Sequence, residues 1–479
     1  MPAETFLTRT PARLDRLPWS RFHTLVVFAL GVTWIFDGLE VTLVGALSPA
    51  IASRDALSLS DTEVGLLGSA YTAGAVLGAL VFGNLTDRWG RKRLFSITVL
   101  VYLAGTLLSG LSWDVWSLMA FRFITGAGIG GEYAAVNSTI QELIPARRRG
   151  FVDLAINGSF WVGAGLGAAG AIVVLDPHLV RQDLGWRLAF IIGGVLASVI
   201  FLIRRFLPES PRWLMTHGRP EEAEAIVEQI EAGVARQHGV ALPVETLPAI
   251  RLKMRGHTRM LEIARTLVRT YPRRTVLGVT LMTTQAFCYN AIFFTYALVL
   301  TKFYGVANAD VGWFMLPFAL GNFLGPLLLG HFFDSIGRKT MIAITYALAG
   351  VLLAGGGWLF ERGVLDATGQ TIAWTIIFFF ASAGASAAYL TVGESFPLET
   401  RAMTIGLFYA FGTAIGGVAG PALFGALIES GSRPQIFGGY GLAGGLMGLA
   451  AIVTLWLGVK AERRPLEEVA PPLSAADDP

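Results

Sequence analysis

The sequence predicts an all-α membrane protein with twelve transmembrane helices in two pseudo-symmetric six-helix bundles. Three observations support this fold class. Apolar runs of about 20 residues, the length a helix needs to cross a bilayer, recur along the whole chain. Only 15% of the residues are charged, against about 25% in soluble domains. A charged loop motif occurs twice, about half a chain apart.

The twelve spans are predicted from the length of each apolar run. They fall near residues 23–50, 64–85, 94–112, 115–142, 151–175, 187–207, 275–302, 311–333, 341–360, 372–396, 404–428 and 436–459. The predicted organisation is an N-terminal segment (1–21), a first bundle (22–207), a connector with short helices (208–273), a second bundle (274–460) and a tail (461–479). Pro220 and the acids after it predict a helix in the connector. The Pro- and Ala-rich tail from Pro465 is expected to be loose.

Two pairs of motifs indicate a duplication. The loop pattern G-x3-D-x2-G-R-K occurs first at Gly83, Asp87, Gly90, Arg91 and Lys92, and again at Gly330, Asp334, Gly337, Arg338 and Lys339. The pattern E-x2-P-x3-R occurs at Glu142 to Arg149 and at Glu394 to Arg401. The two aspartates are 247 residues apart and the two glutamates 252. Two pairs at nearly one offset therefore predict six spans in each half. Symmetric halves around a central cleft are typical of transporters.

The basic residues predict the topology. Of the 37 lysines and arginines, six fall in outer loops, one (Arg122) lies within a span, and the remaining 30 face one side if the N-terminus is inside. By the positive-inside rule, both termini are expected in the cytoplasm. No signal peptide is recognisable at the N-terminus. We therefore predict a multi-pass protein of the cell inner (plasma) membrane.

The motifs resemble those of the major facilitator superfamily over nearly the whole chain. The marks are the two charged loops, Arg122-x3-Gly126-x-Gly128-x-Gly130, and the segment Pro208-Glu209-Ser210-Pro211-Arg212 after span six. Asp37-Gly38-Leu39-Glu40 is similar to span one of aromatic-acid/proton symporters, niacin-type transporters and synaptic-vesicle-glycoprotein relatives. Gly130-Gly131-Glu132 is similar to metabolite symporters. The resemblance implies the major facilitator fold and a transporter rather than an enzyme.

Four charged residues within the spans are candidates for proton coupling: Asp37, Glu40, Arg122 and Glu132. An ionised acid in a span costs about 2.5 kcal/mol or more, so such residues face the bundle interior and are usually functional. Asp37 and Glu40 are spaced i, i+3 and share a helix face; structural bracing is the alternative. In sugar porters the arginine that matches Arg122 pairs with a span-one acid, so the resemblance implies Glu40 as its partner. Protonation of that acid is proposed to free Arg122 for a substrate carboxylate.

A belt of polar and aromatic residues is predicted to bind the substrate: Arg122, Asn157, Trp161, Gln285, Tyr289, Asn290 and Tyr389, with Asn322 and Tyr409 near them. Sugar porters have other side chains at several of the matching positions, including Asn157 and Tyr389. A hexose is therefore disfavoured. Helix packing is the alternative role for each belt residue. Asp153 is expected to be interfacial and structural.

The duplicated motifs are predicted to form a gate at the cytoplasmic ends of the helices. The proposed gating residues are Gly83, Asp87, Arg88, Gly90, Arg91, Asp334, Gly337, Arg338, Glu142, Arg149, Glu394 and Arg401. Topology-setting charge alone is the alternative. The first loop carries more arginines than the second, so the stronger gate is expected in the first half.

Other chemistries find no support in the sequence. Gly126 to Gly131 match G-x-G-x-x-G, but the motif lies inside an apolar helix with no preceding strand, so close helix packing is the better interpretation. Cys288 is the single cysteine, which excludes an intrachain disulfide. We expect no metal, no cofactor and no nucleic-acid partner.

The resulting hypothesis is a proton-coupled symporter that imports a small organic acid or related metabolite by alternating access. Its partners are the substrate, which is expected to be an organic carboxylate, protons and the lipid bilayer, and a monomer is expected. Three alternatives stay open: a sugar or polyol symporter, a drug or metabolite exporter, and a non-transporting receptor on the same scaffold.

Overall fold

The structure is a computed structural model that describes residues 5–52, 56–59, 61–176, 178–204, 207–239, 242, 249–253, 260–293, 295–306 and 310–473. Twelve long helical elements, labelled α1–α12, follow the predicted spans. They are α1 Arg21–Ala52, α2 Asp61–Trp89, α3 Arg91–Gly110, α4 Val115–Leu143, α5 Arg149–Val174, α6 Gln182–Ala197, α7 Pro272–Phe293, α8 Val311–Ser335, α9 Arg338–Glu361, α10 Ala367–Ser395, α11 Arg401–Gly412 and α12 Arg433–Leu457.

Eleven helices within the described part are long and apolar enough to cross a membrane. The predicted span that is not among them is α4, which has the length at 29 residues but carries Arg122, Glu132 and Glu142. This helix contributes Tyr133 to the wall of the candidate site.

Three predicted spans are interrupted rather than continuous. The sixth breaks at Ser198 and resumes as the short helix Val199–Arg204. After α7, the chain resumes as a second helix, Tyr296–Tyr304, and Phe294 lies outside the described residues. The eleventh span continues from α11 through a π-helical turn, Thr413–Gly417, into Val418–Glu429. Such single π turns within α-helices are frequent at functional sites.

Glycines let the helices of the first bundle approach closely. A side chain at Gly74 or Gly78 of α2 would collide with the α4 backbone, and one at Gly126 or Gly130 of α4 would collide with α2. Small residues permit such backbone contact in lipid. The predicted packing role of the glycine-rich segment is thereby confirmed. The two bundles meet through α5 on α8 and α2 on α11.

One face of the molecule carries both chain termini and the connector, and we call it the terminal face. The strand Thr5–Thr8 pairs antiparallel with Ile250–Lys253 of the connector. The helix Thr10–Asp15 lies against the connector helix Pro220–His238, which begins at the predicted proline. Arg13 forms ion pairs with Glu224 and with Glu231, the latter at 2.7 Å.

The expectation of a loose tail was wrong for its described part. The chain forms a short helix, Leu466–Val469, and Glu467 lies 3.0 Å from Arg212 of the segment after span six. Further on, the backbone N–H of Leu473 donates to Glu399 at 2.9 Å. Residues 474–479 of the predicted tail, and 240, 241, 243–248 and 254–259 of the predicted connector, lie outside the described residues.

Candidate functional site

A central cavity lies between the two bundles. Its volume, measured as the space open to the centre of a water-sized sphere, is about 180 Å³. Side chains of α1, α2, α4 and α5 line one wall, and those of α7, α10 and the α11 span line the other. Six of the seven residues predicted to bind the substrate line this cavity: Asn157, Trp161, Gln285, Tyr289, Asn290 and Tyr389.

The polar groups of the cavity wall are held by hydrogen bonds. The indole Nε1 of Trp34 donates to Oδ1 of Asn157 at 3.0 Å. In the other bundle, the hydroxyl of Tyr289 donates to Oδ1 of the buried Asn322 at 2.9 Å. Asn290 donates to the backbone carbonyl of Ala286 at 2.6 Å. These hydrogen bonds hold the side chains of Asn157, Tyr289 and Asn290 in fixed orientations at the cavity wall.

Aromatic rings make up nine of the twenty lining residues among the described part. The ring of Tyr133 packs edge-on against Trp34, with ring centres 4.5 Å apart, and against Tyr409, with ring centres 4.8 Å apart. Tyr133 comes from the first bundle and Tyr409 from the second, so their contact spans the interface. Trp161 of α5 and Tyr289 of α7 likewise meet across the interface, with ring centres 5.6 Å apart. No Asp, Glu, Lys or Arg of the described chain lines the cavity.

The four proton-coupling candidates are buried behind this wall. Asp37, Glu40, Arg122 and Glu132 are each at most 1% exposed. Nη1 of Arg122 donates to Glu40 at 2.5 Å, so the expected pairing is present. The hydroxyl of Tyr102 lies in the electrostatic field of Glu40, Asp37 and Glu132. The acids therefore share one buried region of the first bundle.

Arg122 departs from the prediction in one respect, because it does not line the cavity. Its guanidinium lies 5.4 Å from the ring centre of Tyr71, which does line it, and 5.2 Å from that of Phe190. Nε and Nη2 of Arg122 are buried and make no hydrogen bond within the described residues. Arg122 thus holds two unused donors one aromatic ring away from the cavity.

The gating candidates form two equivalent charge clusters at the terminal face. In the first bundle, Arg91 lies 2.8 Å from Glu142 and 3.3 Å from Asp87. In the second, Arg338 lies 3.0 Å from Glu394 and 2.6 Å from Asp334.

Each cluster is also attached to the opposite bundle. Asp87 accepts from the backbone N–H of Met403 at 2.9 Å, and Asp334 accepts from the N–H of Phe151 at 2.8 Å. Arg149 approaches Glu394 at 3.7 Å, and Arg401 approaches Glu142 at 3.6 Å. The helix N-termini that receive the two aspartates favour negative charge. In this conformation the two bundles are joined at the terminal face.

The expected asymmetry between the two gate halves is not present. Arg88 is exposed, and Arg93 packs over Trp89 at 5.4 Å, so neither arginine enters a cluster. Gly83 packs against Met403 across the bundle interface. Gly90 and Gly337 both adopt positive φ, at 92° and 118°, a backbone region that favours glycine.

A third repeat escaped the sequence analysis. Glu209 faces Gly90, and Glu462, 253 residues later, faces Gly337. Glu209 accepts from the backbone N–H of Arg91 at 2.9 Å and so caps α3. Burial raises the pKa of Glu209, while backbone N–H groups and Arg91 oppose the rise. The spacing of the two glutamates, close to 252, was a signal that could have identified them.

Asp15 was also missed, because the polar N-terminal segment offered no motif. Its Oδ1 accepts from Arg149 at 3.1 Å and from the N–H of Ala146 at 3.2 Å, while Oδ2 accepts from Arg212 at 3.1 Å. The N-terminal segment therefore contacts the gate directly. A long-range contact of this kind has no signature in local sequence.

Comparison with known proteins places the chain in a family. The family model of sugar (and other) transporters matches residues 37–472. The chain belongs to the sugar (and other) transporter family. It is therefore a multi-pass membrane transporter of small molecules with the major facilitator fold, and not an enzyme.

Several relatives of this transporter are known. The niacin transporter of Acinetobacter baylyi is 28% identical over 96% of this chain and 99% of its own length. A putative metabolite transport protein of Bacillus subtilis is 29% identical over 84% of this chain and 85% of its own length. Among solved structures, the proton:xylose symporter bound to 6-bromo-6-deoxy-D-glucose aligns with a TM-score of 0.77 at 18% identity, over 94% of this chain and 98% of that one. This last likeness confirms the predicted fold.

Proposed function

We propose that this transporter is a proton-coupled symporter that imports a small organic acid with a flat aromatic ring. The buried pair of Glu40 and Arg122, one aromatic ring away from the central cavity, is the observation that carries the proposal. The terminal face is cytoplasmic, as the excess of basic residues there favours.

Proton coupling follows from the chemistry of the pair. Arg122 stays charged in a protein, so neutralising Glu40 leaves a buried cation without its partner. A substrate carboxylate then supplies the missing negative charge. The two unused donors of Arg122, Nε and Nη2, suit the bidentate geometry of a carboxylate. Tyr71, which contacts Arg122 and lines the cavity, must move aside for this contact.

The walls of the cavity support an aromatic substrate. Trp34, Tyr133 and Trp161 of the first bundle and Tyr289 of the second offer rings of the kind that pack with a planar ligand. The carboxamides of Asn157, Gln285 and Asn290 supply donors and acceptors at the edge of that ligand. The name of the niacin transporter, a relative over nearly the full chain, agrees with an aromatic carboxylate.

Alternating access is proposed to proceed by opening of the charge clusters at the terminal face. The two aspartates and the two cross-bundle ion pairs hold the bundles together on that side. Rocking of the bundles would break these contacts and expose the cavity to the cytoplasm.

Uptake by proteoliposomes tests the proposal. We expect nicotinate and benzoate to accumulate when the pH outside is lower than inside, and accumulation to stop when a protonophore collapses the gradient. Accumulation of xylose or glucose, without accumulation of the acids, would favour the sugar alternative. Export of the acids in exchange for incoming protons, with no accumulation inside, would favour an exporter. Saturable binding without flux would favour a receptor. Each of these three results would contradict acid symport.

A further inference from the structure

Asp153, assigned to the membrane interface from sequence, is buried next to the cavity wall. It lies one turn before Asn157 on α5 and is 0% exposed. Its Oδ1 accepts from Nδ2 of Asn157 at 2.8 Å, and its Oδ2 accepts from Nε2 of Gln141 at 3.1 Å. Both carboxylate oxygens therefore receive a side-chain amide. One amide belongs to the cavity wall and the other to α4.

The acceptors around Nδ2 of Asn157 set which way its amide faces, because an amide has a donor end and an acceptor end. They are Oδ1 of Asp153 at 2.8 Å, the backbone carbonyl of Asp153 at 2.9 Å and Oδ1 of Asn137 at 3.4 Å. The NH2 group of Asn157 must therefore point to Asp153, which turns Oδ1 toward the indole N–H of Trp34. If the amide were flipped, Nδ2 would face Nε1 of Trp34, and two donors cannot bond to each other. Asp153 thus maintains the bond between Trp34 and Asn157, both of which line the cavity.

The other contact of Asp153 leads toward the second bundle. Gln141 is fully buried and lies against Gly393 of α10, where a side chain would approach its Cγ to 2.8 Å. The next residue is Glu394, the partner of Arg338 in the gate. Asp153 therefore connects the cavity wall to the part of α10 that carries the second charge cluster.

We propose that Asp153 is a positioning residue for the central site, which fixes the carboxamide of Asn157 and with it the hydrogen-bonding pattern offered to the substrate. This inference rests on the proposed function, in which the cavity binds the substrate. Asp153 does not touch the substrate in this proposal; it acts through Asn157.

Two variants separate positioning from charge. Asp153→Leu has a similar volume and removes both acceptor oxygens, so Asn157 and Gln141 each lose a side-chain bond. Asp153→Asn removes the negative charge but can keep both bonds. In that variant Oδ1 of the new side chain accepts from Asn157, and its NH2 donates to Oε1 of Gln141, which makes no hydrogen bond in the described chain and faces the new donor when the Gln141 amide turns over.

Transport kinetics provide the first readout. We expect Asp153→Leu to raise KM for nicotinate by about five- to tenfold, the effect of one lost hydrogen bond, with a smaller change in kcat. Asp153→Asn is expected to keep KM within about twofold of the wild type. An unchanged KM in Asp153→Leu, or an equal rise in both variants, would overturn the proposal. Asp153→Ala takes the place of Asp153→Leu if the latter does not fold.

The second readout needs no ligand. In protein labelled with ¹⁵N-tryptophan, the Trp34 indole signal is assigned from its loss in Trp34→Phe. We expect Asp153→Leu to shift this signal and Asp153→Asn to leave it close to its wild-type position. A signal that stays in place in Asp153→Leu overturns the inference. If wild-type protein neither binds nor transports nicotinate or benzoate, the proposed function fails, and the indole signal still reports on Asp153.

Discussion

Arg122 combines a fixed charge with hydrogen-bond donors that the described chain leaves unused. It cannot lose its charge, one of its nitrogens holds Glu40 at 2.5 Å, and two others are buried without a bond in the described chain. A lysine would keep the charge and the pair but lose the planar fork that binds a carboxylate through two N–H groups.

We predict that Arg122→Lys discriminates between nicotinate and nicotinamide, which differ by a carboxylate and an amide. KM for nicotinate is expected to rise at least about tenfold, because bidentate binding is lost, and binding of nicotinamide is expected to change little. Parallel titrations by calorimetry measure both. Equal loss for the two ligands would assign Arg122 a structural role only.

Single residues differ in how well sequence alone could predict them. The Glu40–Arg122 pair and the six belt residues in the cavity were predictable, because intramembrane charge is costly and polar positions match known motifs. The position of Arg122 behind Tyr71 could not be predicted from sequence, because it depends on how α2 packs against α4. Asp15 and Asp153 depend likewise on contacts between distant elements or helices.

Among the elements, the proposed gate consists of two matched charge clusters that join helix ends. Arg91 is 3% exposed and contacts two acids, whereas Arg88, three residues earlier on the neighbouring helix, is exposed. Removing the buried arginine leaves Glu142 with a weaker partner, Arg401 at 3.6 Å. A buried charge that loses its partner costs roughly 3–5 kcal/mol.

We therefore predict that Arg91→Ala destabilises the state closed at the terminal face, with Arg88→Ala as the matched control. The reporter is Ser386→Cys in the cavity, made in a Cys288→Ala background, and the measurement is its rate of reaction with a thiol reagent supplied from the terminal face. Adding Arg91→Ala should increase this rate, and adding Arg88→Ala should leave it unchanged. Equal rates in both variants would mean that the cluster does not hold the gate.

Helix boundaries were predictable where hydrophobicity determines them and not where local backbone chemistry does. The apolar runs located the spans, but the break after α7 and the π turn at Thr413–Gly417 leave no mark in hydropathy. The docked tail was missed because its Pro- and Ala-rich composition favours disorder. Its order depends on contacts such as that of Glu467 with Arg212.

At the scale of the whole molecule, the account requires the two bundles to separate at the terminal face during each cycle. Gly83 of α2 lies beside Met403 of α11, and a Cβ at Gly83 would be 3.6 Å from the Cα of Met403. This separation is compatible with a disulfide between the two positions.

We predict that Gly83→Cys with Met403→Cys, in the Cys288→Ala background, forms a crosslink that stops uptake until it is reduced. Either cysteine alone should transport with or without oxidant. The crosslink is detected by cutting the connector with a protease and running the protein on a non-reducing gel. Crosslinked bundles then migrate as one band, and bundles that are not crosslinked migrate as two. Full uptake by the crosslinked protein would exclude rocking about this interface.

The two-bundle architecture itself was predictable, because the duplicated motifs and the apolar runs specify it independently. The contacts that join the two bundles were less predictable from sequence, because they depend on which aspartate meets which helix end. The contacts of Asp87 with Met403 and of Asp334 with Phe151 became visible only in three dimensions.

Proton coupling is proposed to depend on the carboxyl group of Glu40, and Glu40→Gln removes that group. The variant keeps the size of the side chain and its hydrogen-bonding capacity but cannot exchange a proton. Nicotinate uptake is measured in proteoliposomes in two modes, accumulation driven by a pH gradient and counterflow exchange without one. The account predicts that accumulation is lost and counterflow persists. Accumulation at the wild-type level in Glu40→Gln would contradict it.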